Sequence, residues 1–172
     1  MCGVTGFYLN CKDYSKKDLL DNLNLMTDQL VRRGPDNKGI WLENNRIGLG
    51  HRRLSIRDLS NNGSQPMHSS CGRYTIVYNG EIYDNVEIKK IVKKENIKLK
   101  STTDTEILLE SISILGLNKT LENINGMFAF ALYDKYLKKI YLVRDRLGIK
   151  PLFYYKNKNS IAFASEIKAI KK

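Results

Sequence analysis

The sequence predicts an α+β fold built as a layered sandwich of sheets and helices. Strand-like segments lie near both ends of the chain, helix-like segments lie between them, and no regular strand–helix alternation runs through the sequence. With 172 residues, of which 42% are apolar, the chain is long enough to bury one core. Because it has no internal repeat, low-complexity tract or linker-like segment, we expect a single domain over residues 1–172.

The chain should open with a strand followed by a helix. Residues 2–8 form an apolar run that ends in two aromatic side chains, which is typical of a buried strand. A helix is predicted next, because Ser15 is a suitable N-cap, Asp18 follows three residues later, and apolar side chains recur on one face. The helix should stop by Gly34-Pro35.

Three strands, two helices and two hairpins are predicted for the rest of the chain. Residues 38–42 and 46–51 flank a polar turn, and 73–78 form an apolar strand that Asn79 and Gly80 should end, because both tolerate positive φ. The remaining elements are a helix at 84–95, a helix at 104–115 with Thr103 as N-cap, Glu106 completing a capping box and Gly116 at its end, and hairpins that pair 127–134 with 139–144 and 152–155 with 161–164.

The number and spacing of the cysteines and the distribution of apolar residues indicate the cellular compartment. Cys2, Cys11 and Cys71 are odd in number and irregularly spaced, which argues against a disulfide framework and against a metal site built from paired cysteines. No stretch approaches the roughly 18 uncharged apolar residues of a membrane span, and the N-terminal segment lacks the continuous apolar region of a signal peptide. We therefore expect a cytoplasmic protein with no bound metal and no membrane partner.

The formal net charge of +11 raises the question of nucleic-acid binding. Seven of the nine arginines lie in three short segments, whereas the twenty lysines are scattered along the chain. Clustered arginines are typical of sites for specific carboxylates, and scattered lysines of a solvated surface. Since no recognition motif accompanies the charge, we expect no nucleic-acid partner; the alternative of a basic nucleic-acid module would require tight, salt-dependent binding.

Cys2 combines a nucleophile with a base once the initiator methionine is removed. Removal of Met1 is usual before a small side chain, and it leaves a thiol and a free α-amine on the same residue. The unperturbed α-amine has a pKa of about 7.7 to 8.0, so near neutral pH it can accept the thiol proton and later give it to a leaving amine. No separate histidine is required, and a chain that keeps Met1 should be inactive.

Six segments downstream of Cys2 occur together and in a fixed order. They are 32–36 (RRGPD), 51–56 (HRRLSI), 78–83 (YNGEIY), 103–106 (TDTE), 126–130 (GMFAF) and 144–151 (RDRLGIKP). Together with Cys2 they resemble the N-terminal domain of glutamine-dependent asparagine synthetases, which is a class II glutamine amidotransferase of the N-terminal nucleophile hydrolase superfamily. The resemblance extends to residues 165–169 and so covers nearly the whole chain.

The resemblance implies both a fold and a reaction. The fold is a four-layer αββα sandwich of two antiparallel sheets. In the reaction, Cys2 would attack the side-chain amide of L-glutamine, pass through a tetrahedral oxyanion and a thioester, and release ammonia and then glutamate. The ammonia would serve an ATP-dependent amidation of the asparagine synthetase type.

The same resemblance assigns roles to individual residues. Asn79, through its side-chain amide, and Gly80, through its backbone N–H, would join Cys2 in catalysis as donors to the oxyanion. Arg53 would bind the α-carboxylate of glutamine through a bidentate fork, and Asp104 would bind its α-ammonium group. The remaining implied binding residues are Glu81 and the segment formed by Leu54, Ser55, Ile56 and Arg57.

Each of these residues has a structural alternative. Asn79-Gly80 is also a common turn pair, Asp104 suits the start of a helix, and Arg53 could be an ordinary surface charge. A Cys–His dyad is a further possibility that we set aside, because His51 lies on the apolar face of a strand, where a structural imidazole is more common, and His68 lies in a loop. The arginine-flanked acids Asp36 and Asp145 are expected to be ion-paired scaffolding.

The sequence lacks the Gly-rich pyrophosphate loop of the ATP-using domain found in the resembling enzymes. We therefore expect no cofactor in this domain, with ATP and magnesium used only in a C-terminal synthetase domain that this sequence does not contain. That domain, or a separate subunit, would be the partner and would face residues 147–155 and the basic tail. The resemblance also allows a homodimer of the full-length protein.

Two other functions stay open at this point. The domain could supply ammonia to a different acceptor, such as a sugar or another acid, because nothing in these residues selects the acceptor. It could instead be a non-catalytic regulatory or interaction domain that binds glutamine without turnover.

Overall fold

The structure is a computed structural model that describes residues 1–10, 14–56, 58–84 and 86–171. Within these residues the strands are β1 (Gly3–Leu9), β2 (Asn37–Glu43), β3 (Ile47–Arg53), β4 (Met67–His68), β5 (Tyr74–Asp84), β6 (Asn125–Asp134), β7 (Lys139–Arg144), β8 (Phe153–Lys156) and β9 (Ser160–Ala164). The helices are α1 (Lys16–Asp28), α2 (Val86–Lys94), α3 (Asp104–Leu115), α4 (Leu117–Glu122) and α5 (Ile167–Ile170).

The strands form two antiparallel sheets. One sheet has the order β2-β3-β1-β9-β8, and the other has the order β4-β5-β6-β7. The N-terminal strand β1 is central in its sheet, where it pairs with β3 on one side and β9 on the other. The residue that precedes β1 is therefore attached to a strand that is held from both sides.

Side-chain alternation along the strands produces four layers. Val4, Leu49 and Phe163 of the first sheet pack against Val77 and Ala131 of the second, which fills the space between the sheets. On the outer face of the first sheet, β1 packs against apolar side chains of α1. On the outer face of the second sheet, β5 and β6 pack against α2 and α3. The predicted α+β class and the four-layer αββα sandwich are both confirmed.

Several local predictions are confirmed at the residue level. The Ser15 side chain accepts from the backbone N–H of Asp18 at 3.1 Å and so caps α1. Thr103 caps α3 by accepting from the backbone N–H of Glu106, and Gly116 ends that helix with a φ of 80°. The capping box is only half formed, because the Glu106 carboxylate accepts from the backbone N–H groups of Lys100 and Ser101 rather than reaching back to the cap residue.

The prediction that Asn79 and Gly80 end a strand is wrong. Strand β5 continues to Asp84, and Asn79 and Gly80 pair with Ala129 and Phe128 of β6. A Cβ atom on Gly80 would lie 2.5 Å from the backbone oxygen of Met127, so the glycine is required by the close approach of two strands and not by a turn.

The two C-terminal hairpins are also placed differently from each other. Strands β6 and β7 belong to the second sheet, whereas β8 and β9 extend the first sheet beyond β1.

The helices α4 and α5 were not predicted, because six and four residues are too few to show a helical repeat. The predicted helix at 84–95 is shorter, Val86–Lys94, because β5 still includes Asp84.

Candidate functional site

A cleft of about 160 Å³ opens where the start of β1, the end of β3, the middle of β5 and the start of α3 meet. The segment before β8 closes one side through Lys150. The lining residues are Met1, Cys2, Arg53, Leu54, Ile56, Gly63, Gln65, Tyr78, Asn79, Gly80, Glu81, Thr103, Asp104, Thr105, Met127 and Lys150. The structure thus brings together Cys2 and most of the residues that the sequence motifs single out.

The thiol of Cys2 lies against the chain that follows β3. Its Sγ accepts from the backbone N–H of Leu54 at 3.4 Å and is 3.8 Å from the carbonyl oxygen of Leu54, to which it can donate. Cys2 is partly exposed and lines the cleft, and it forms no disulfide. A thiol in this position is both accessible and fixed by the backbone.

The peptide group of Cys2 is fixed from the opposite side. The Nε of Arg33 donates to the carbonyl oxygen of Cys2 at 2.9 Å, and the same guanidinium pairs with Glu166 at 3.3 Å. Val4, the second residue of β1, exchanges hydrogen bonds with Ser165 through its N–H and its carbonyl group. The N-terminal segment is therefore tied to the loop that follows α1 and to the residues that follow β9.

Asn79 carries a buried donor without a partner. The residue is 2% exposed, and its Nδ2 has no hydrogen-bond partner within residues 1–10, 14–56, 58–84 and 86–171. Leaving a buried amide N–H unpaired costs about 1 to 3 kcal/mol, so such a group is expected where a ligand supplies the acceptor. Because Asn79 and Cys2 line the same cleft, the acceptor would be an atom bound close to the thiol.

Gly80 presents its backbone N–H to the same region. Tyr78 and Ile82 donate away from β6, to Oε1 of Gln65 at 2.6 Å and to Oδ2 of Asp104 at 3.0 Å. Because backbone groups alternate along a strand, the N–H of Gly80 lies on the same edge, between these two donors. Asn79 and Gly80 therefore supply a side-chain donor and a main-chain donor at adjacent positions.

Arg53 is the last residue of β3, and it is buried in the wall of the cleft. Its guanidinium donates to the carbonyl oxygens of Ser60, at 2.8 Å, and of Asp58. These bonds fix the plane of the guanidinium, which has five N–H groups in all. A fixed guanidinium is suited to recognise a carboxylate.

Asp104 is buried at the first position of α3 and lines the same cleft as Arg53. Its Oδ2 accepts from the hydroxyl of Tyr78 at 3.1 Å and from the backbone N–H of Ile82 at 3.0 Å. The helix-start position that was considered as an alternative is therefore real, and it does not exclude a binding role. A carboxylate held in this way can accept from an ammonium group of a ligand.

The segment after Arg53 lines the cleft only in part. Leu54 and Ile56 belong to the lining, but Ser55 does not, because its backbone N–H donates to the carboxylate of Asp36 at 2.7 Å. Arg57 lies outside the described residues. Glu81 lies in the lining.

The histidines lie apart from the thiol chemistry. His51 is buried between the sheets, where its Nε2 donates to the carbonyl oxygen of Tyr78 at 3.1 Å, and burial lowers its pKa to about 4. This confirms the expectation of a structural imidazole. His68 is exposed in β4 and bonds to Thr75, and it does not line the cleft.

Asp145 is scaffolding, but the expected ion pair is not what holds it. Its carboxylate accepts from the backbone N–H groups of Phe128, Ile149 and Lys150 at 2.8 to 3.2 Å. Burial raises the pKa of this carboxyl group, and these N–H donors outweigh burial, so the pKa is lowered. The flanking arginines donate to backbone carbonyl groups instead. Asp36 likewise binds the N–H of Ser55.

Sequence reasoning missed two buried polar residues of the cleft. Gln65 bridges Tyr78 and Thr105, and Lys150 extends its ammonium group to within 3.3 Å of the Sδ of Met1. Neither residue had a distinctive role in the sequence pattern. For Lys150, its place within the 144–151 motif was the available signal.

Two further features concern metals and membranes. Within the described ranges, no group of three or more His, Cys, Asp or Glu side chains is arranged to hold a metal ion. In the same part of the chain, no helix combines the length and the apolar character needed to cross a membrane.

Comparisons with known proteins agree with this geometry. Residues 1–172 match the family described as glutamine amidotransferase domain. The chain is 39% identical to asparagine synthetase [glutamine-hydrolyzing] 3 of Bacillus subtilis, with 99% of this chain and 27% of that protein aligned. It is 38% identical to a putative asparagine synthetase [glutamine-hydrolyzing] 2 of Methanocaldococcus jannaschii, with 99% of this chain and 35% of that protein aligned. The chain thus spans about a third or less of the length of these relatives.

A solved structure shares the architecture. The glutamine phosphoribosylpyrophosphate amidotransferase of B. subtilis superposes with a TM-score of 0.75 over 99% of this chain and 43% of that chain. The sequences are 18% identical, so this likeness shows the fold alone.

Proposed function

Because the chain belongs to the glutamine amidotransferase domain family, with the αββα fold of N-terminal nucleophile hydrolases, we propose that it hydrolyses L-glutamine to glutamate and ammonia through a Cys2 thioester. The observation that carries the proposal is the meeting of two groups in one cleft. An accessible thiol shares this cleft with a buried Asn79 amide whose Nδ2 has no partner in the described part of the chain.

The reaction begins with removal of Met1, which frees the α-amine of Cys2. The amine takes the thiol proton as Sγ bonds to the side-chain carbonyl carbon of glutamine. The resulting oxyanion accepts from Nδ2 of Asn79 and from the N–H of Gly80. Donors already in place cost no reorganisation when the charge develops, and each contributes roughly 3 to 4 kcal/mol in such a site.

The second half of the reaction restores the enzyme. The amine returns its proton to the leaving nitrogen, the carbon–nitrogen bond breaks, and ammonia departs from the thioester. A water molecule then attacks the thioester carbonyl, the carbon–sulfur bond breaks, and the sulfur regains a proton. One glutamine and one water give one glutamate and one ammonia.

Recognition of glutamine rests on two charged residues of the lining. Arg53 would bind the α-carboxylate, and Asp104 would bind the α-ammonium group. Arg53 is held by β3 and Asp104 by α3, so these two regular elements set the distance from each charged group to the reacting amide. Glu81, Leu54 and Ile56 complete the lining, and the domain itself needs no cofactor for this chemistry.

The use of the ammonia belongs to a larger assembly. The two relatives compared above are named as asparagine synthetases, and each is about three or more times longer than this chain. We propose that the ammonia feeds an ATP- and magnesium-dependent amidation of aspartate in a synthetase domain or subunit, in the cytoplasm. A homodimer of the full-length protein is part of the same proposal.

An exposed apolar surface supports the proposal of a partner. Leu147, Ile149, Phe153, Tyr154 and Tyr155 are exposed, and β8 is the edge strand of its sheet. Exposed apolar groups that cluster at one place are typical of protein contacts. This surface would face the synthetase domain or subunit.

Turnover of glutamine tests the proposal. Protein whose N-terminus is Cys2 should release glutamate and ammonia in equal amounts, and Cys2→Ala should release neither while keeping the same circular dichroism spectrum and melting temperature. Cys71→Ala is the matched control, because Cys71 is exposed and lies outside the cleft, and it should keep full activity. Equal rates for the wild type and Cys2→Ala would refute the proposal.

A further inference from the structure

A short loop beyond β3 holds the side chain of Arg53. This stretch, residues 58–63, is the Arg53 loop. The guanidinium donates to the carbonyl oxygen of Ser60 at 2.8 Å and to the carbonyl oxygen of Asp58. The loop also packs closely against the guanidinium, because a Cβ atom on Gly63 would collide with Nη2 of Arg53. The position of this cation in the wall of the cleft therefore depends on where the loop is held.

The carboxylate of Asp58 ties the Arg53 loop to the segment that leads into α3. Its Oδ1 accepts from the backbone N–H of Ser60 at 3.0 Å and from the Ser60 hydroxyl at 2.5 Å. Its Oδ2 accepts from the backbone N–H of Thr102 at 2.8 Å, and the Thr102 hydroxyl donates at 3.4 Å. One side chain thus bridges two segments, and its partner Thr102 lies 44 positions further along the chain.

The segment that contains Thr102 is anchored to α3. The Glu106 carboxylate accepts from the backbone N–H and from the hydroxyl of Ser101, both at 2.7 Å. Thr103 is the N-cap of the helix, and Asp104 is its first residue. A bond to Thr102 therefore holds the loop against the same helix start that carries the carboxylate proposed to bind the α-ammonium group.

Aspartate is well suited to this bridge. The backbone N–H groups of Ser60 and Thr102 can only donate, and a carboxylate can accept both because each of its oxygens is an acceptor. The Ser60 hydroxyl, followed by the N–H of Thr102, lowers the pKa of Asp58 to about 2, so the bridge is ionised near neutral pH. An Asn side chain has one acceptor oxygen and one donor nitrogen, so it can accept from one of the two segments but not from both.

The other end of the Arg53 loop has its own attachment. The side chain of Asn62 donates to the carbonyl oxygen of Lys100 at 3.0 Å. Loss of the Asp58 bridge should therefore release the end of the loop whose carbonyl groups bind Arg53, without detaching the loop from the domain.

We propose that Asp58 is a positioning residue for the binding of glutamine: its carboxylate bridge holds the Arg53 loop against the start of α3 and so fixes the Arg53 guanidinium in relation to Asp104. The α-carboxylate and α-ammonium groups of an amino acid share one carbon, so the two protein charges that bind them must keep a fixed separation. Asp58 lies outside the lining of the cleft and acts through Arg53. The inference rests on the proposed function, because it takes Arg53 and Asp104 to be the groups that bind glutamine.

The test separates binding from turnover in folded variants. Asp58 has a φ of 54°, in the left-handed region that Asn and Gly tolerate, so Asp58→Asn and Asp58→Gly break the bridge without straining the backbone. Asp21→Asn is the matched control, because Asp21 is an exposed aspartate of α1 outside the cleft. Steady-state kinetics gives KM and kcat for L-glutamine. Calorimetric titration of Cys2→Ala protein gives the Kd for L-glutamine without turnover, and melting temperatures show which variants are folded.

The proposal predicts a loss of binding with little loss of chemistry. In Asp58→Asn and Asp58→Gly, KM and Kd for glutamine should rise about 5- to 30-fold, and kcat should change by less than about 2-fold. Asp21→Asn should match the wild type. In protein that already carries Arg53→Lys, Asp58→Asn should raise Kd by less than about 2-fold, because the guanidinium that the bridge positions is already gone. A general loss of stability would not produce this dependence on Arg53.

Two results would overturn the inference. One is a wild-type KM and Kd in folded Asp58→Asn and Asp58→Gly proteins. The other is an equal rise of Kd on adding Asp58→Asn to the wild type and to Arg53→Lys, since Asp58 would then act independently of Arg53. The proposed function fails in a different way: if the wild type binds glutamine without hydrolysing it, catalysis by Cys2 is refuted, and the Kd values still decide the role of Asp58.

Discussion

The hydroxyl of Tyr78 donates to Oδ2 of Asp104 at 3.1 Å and so joins the middle of β5 to the first residue of α3. Tyr78 is followed directly by Asn79, whose amide nitrogen has no hydrogen-bond partner among the residues that the structure describes. The carboxylate proposed to bind the substrate and the amide proposed to stabilise the oxyanion are therefore held by the same strand. Binding and chemistry are coupled through a rigid element, which is what accurate placement of a reacting amide requires.

Replacing Asp104 by Asn should weaken the binding of glutamine. The Asn side chain keeps one acceptor for Tyr78 and Ile82 but loses the negative charge that pairs with the α-ammonium group. A hydrogen bond to a charged group contributes about 1.5 to 3 kcal/mol, so kcat/KM for glutamine should fall roughly 10- to 100-fold. Steady-state kinetics over a range of glutamine concentrations would measure this, and most of the loss should be in KM.

Tyr78→Phe is the control for that experiment. It removes the hydroxyl donor and leaves the charge of Asp104 intact, so its effect on kcat/KM should be several-fold smaller. Equal losses in the two variants would mean that Asp104 acts only by holding the start of α3, as a carboxylate at a helix N-terminus does.

Asn79→Ala should separate activity from stability. Loss of one oxyanion donor lowers kcat by roughly 100- to 1000-fold. The free energy of unfolding should change little, because the lost Nδ2 group has no partner within the described residues of the resting protein. Glutaminase assays and urea unfolding on the same preparation would test both parts. A variant with near-normal kcat would show that the amide does not contact the oxyanion.

Gly80→Ala should destabilise the second sheet. The added methyl group would lie 2.5 Å from the oxygen of Met127 and 2.6 Å from Cβ of Phe128, so β5 and β6 would have to separate. Overpacking of this kind costs about 1 to 3 kcal/mol, and kcat should fall as well because the Gly80 N–H moves. Urea unfolding gives the first quantity. Unchanged stability would show that the strands adjust freely.

Burial of His51 should make the protein less stable as the solution becomes acidic. Its pKa is about 4 in the folded state and about 6.5 when unfolded, so the unfolded chain binds a proton that the folded chain excludes. The stabilisation by neutral His51 is complete above about pH 6.5, and it is lost as the pH falls from about 6.5 to about 4. The loss amounts to about 3 kcal/mol for the whole window.

His51→Gln should flatten this dependence, because glutamine can still donate to the Tyr78 carbonyl oxygen and does not titrate. The measurement is the free energy of unfolding at several pH values between 4 and 7. His68→Gln, at a more exposed position in β4, is the comparison: burial also lowers the pKa of His68, so this variant should flatten the slope by less than His51→Gln does. Identical slopes in the wild type and His51→Gln would contradict the assignment.

Local signals made several elements predictable. Capping by Ser15 and Thr103 depends on neighbours within three residues, and residues 139–144 form both the predicted and the observed strand. Local signals failed where tertiary contacts decide. The pair Asn79-Gly80 has the composition of a turn, but its pairing with β6 continues β5 through both residues.

The site could be predicted in outline for a different reason. The resemblance carried by the ordered motifs predicts roles for Cys2, Asn79, Arg53 and Asp104; the structure places all four residues in one cleft, and the roles stay predictions. Lys150 could not be recognised in the same way, because its meaning depends on its distance from Met1, which is 149 positions away in the chain. A contact between such distant positions has no local signature.

Mass spectrometry of the protein, before and after incubation with an electrophilic analogue of glutamine, tests the central claim most directly. The mature chain is predicted to begin at Cys2, and the analogue is predicted to add once, to the Cys2 sulfur, with excess glutamine slowing the addition. A chain that retains Met1, or an adduct on Cys71 or Cys11 in place of Cys2, would contradict the account.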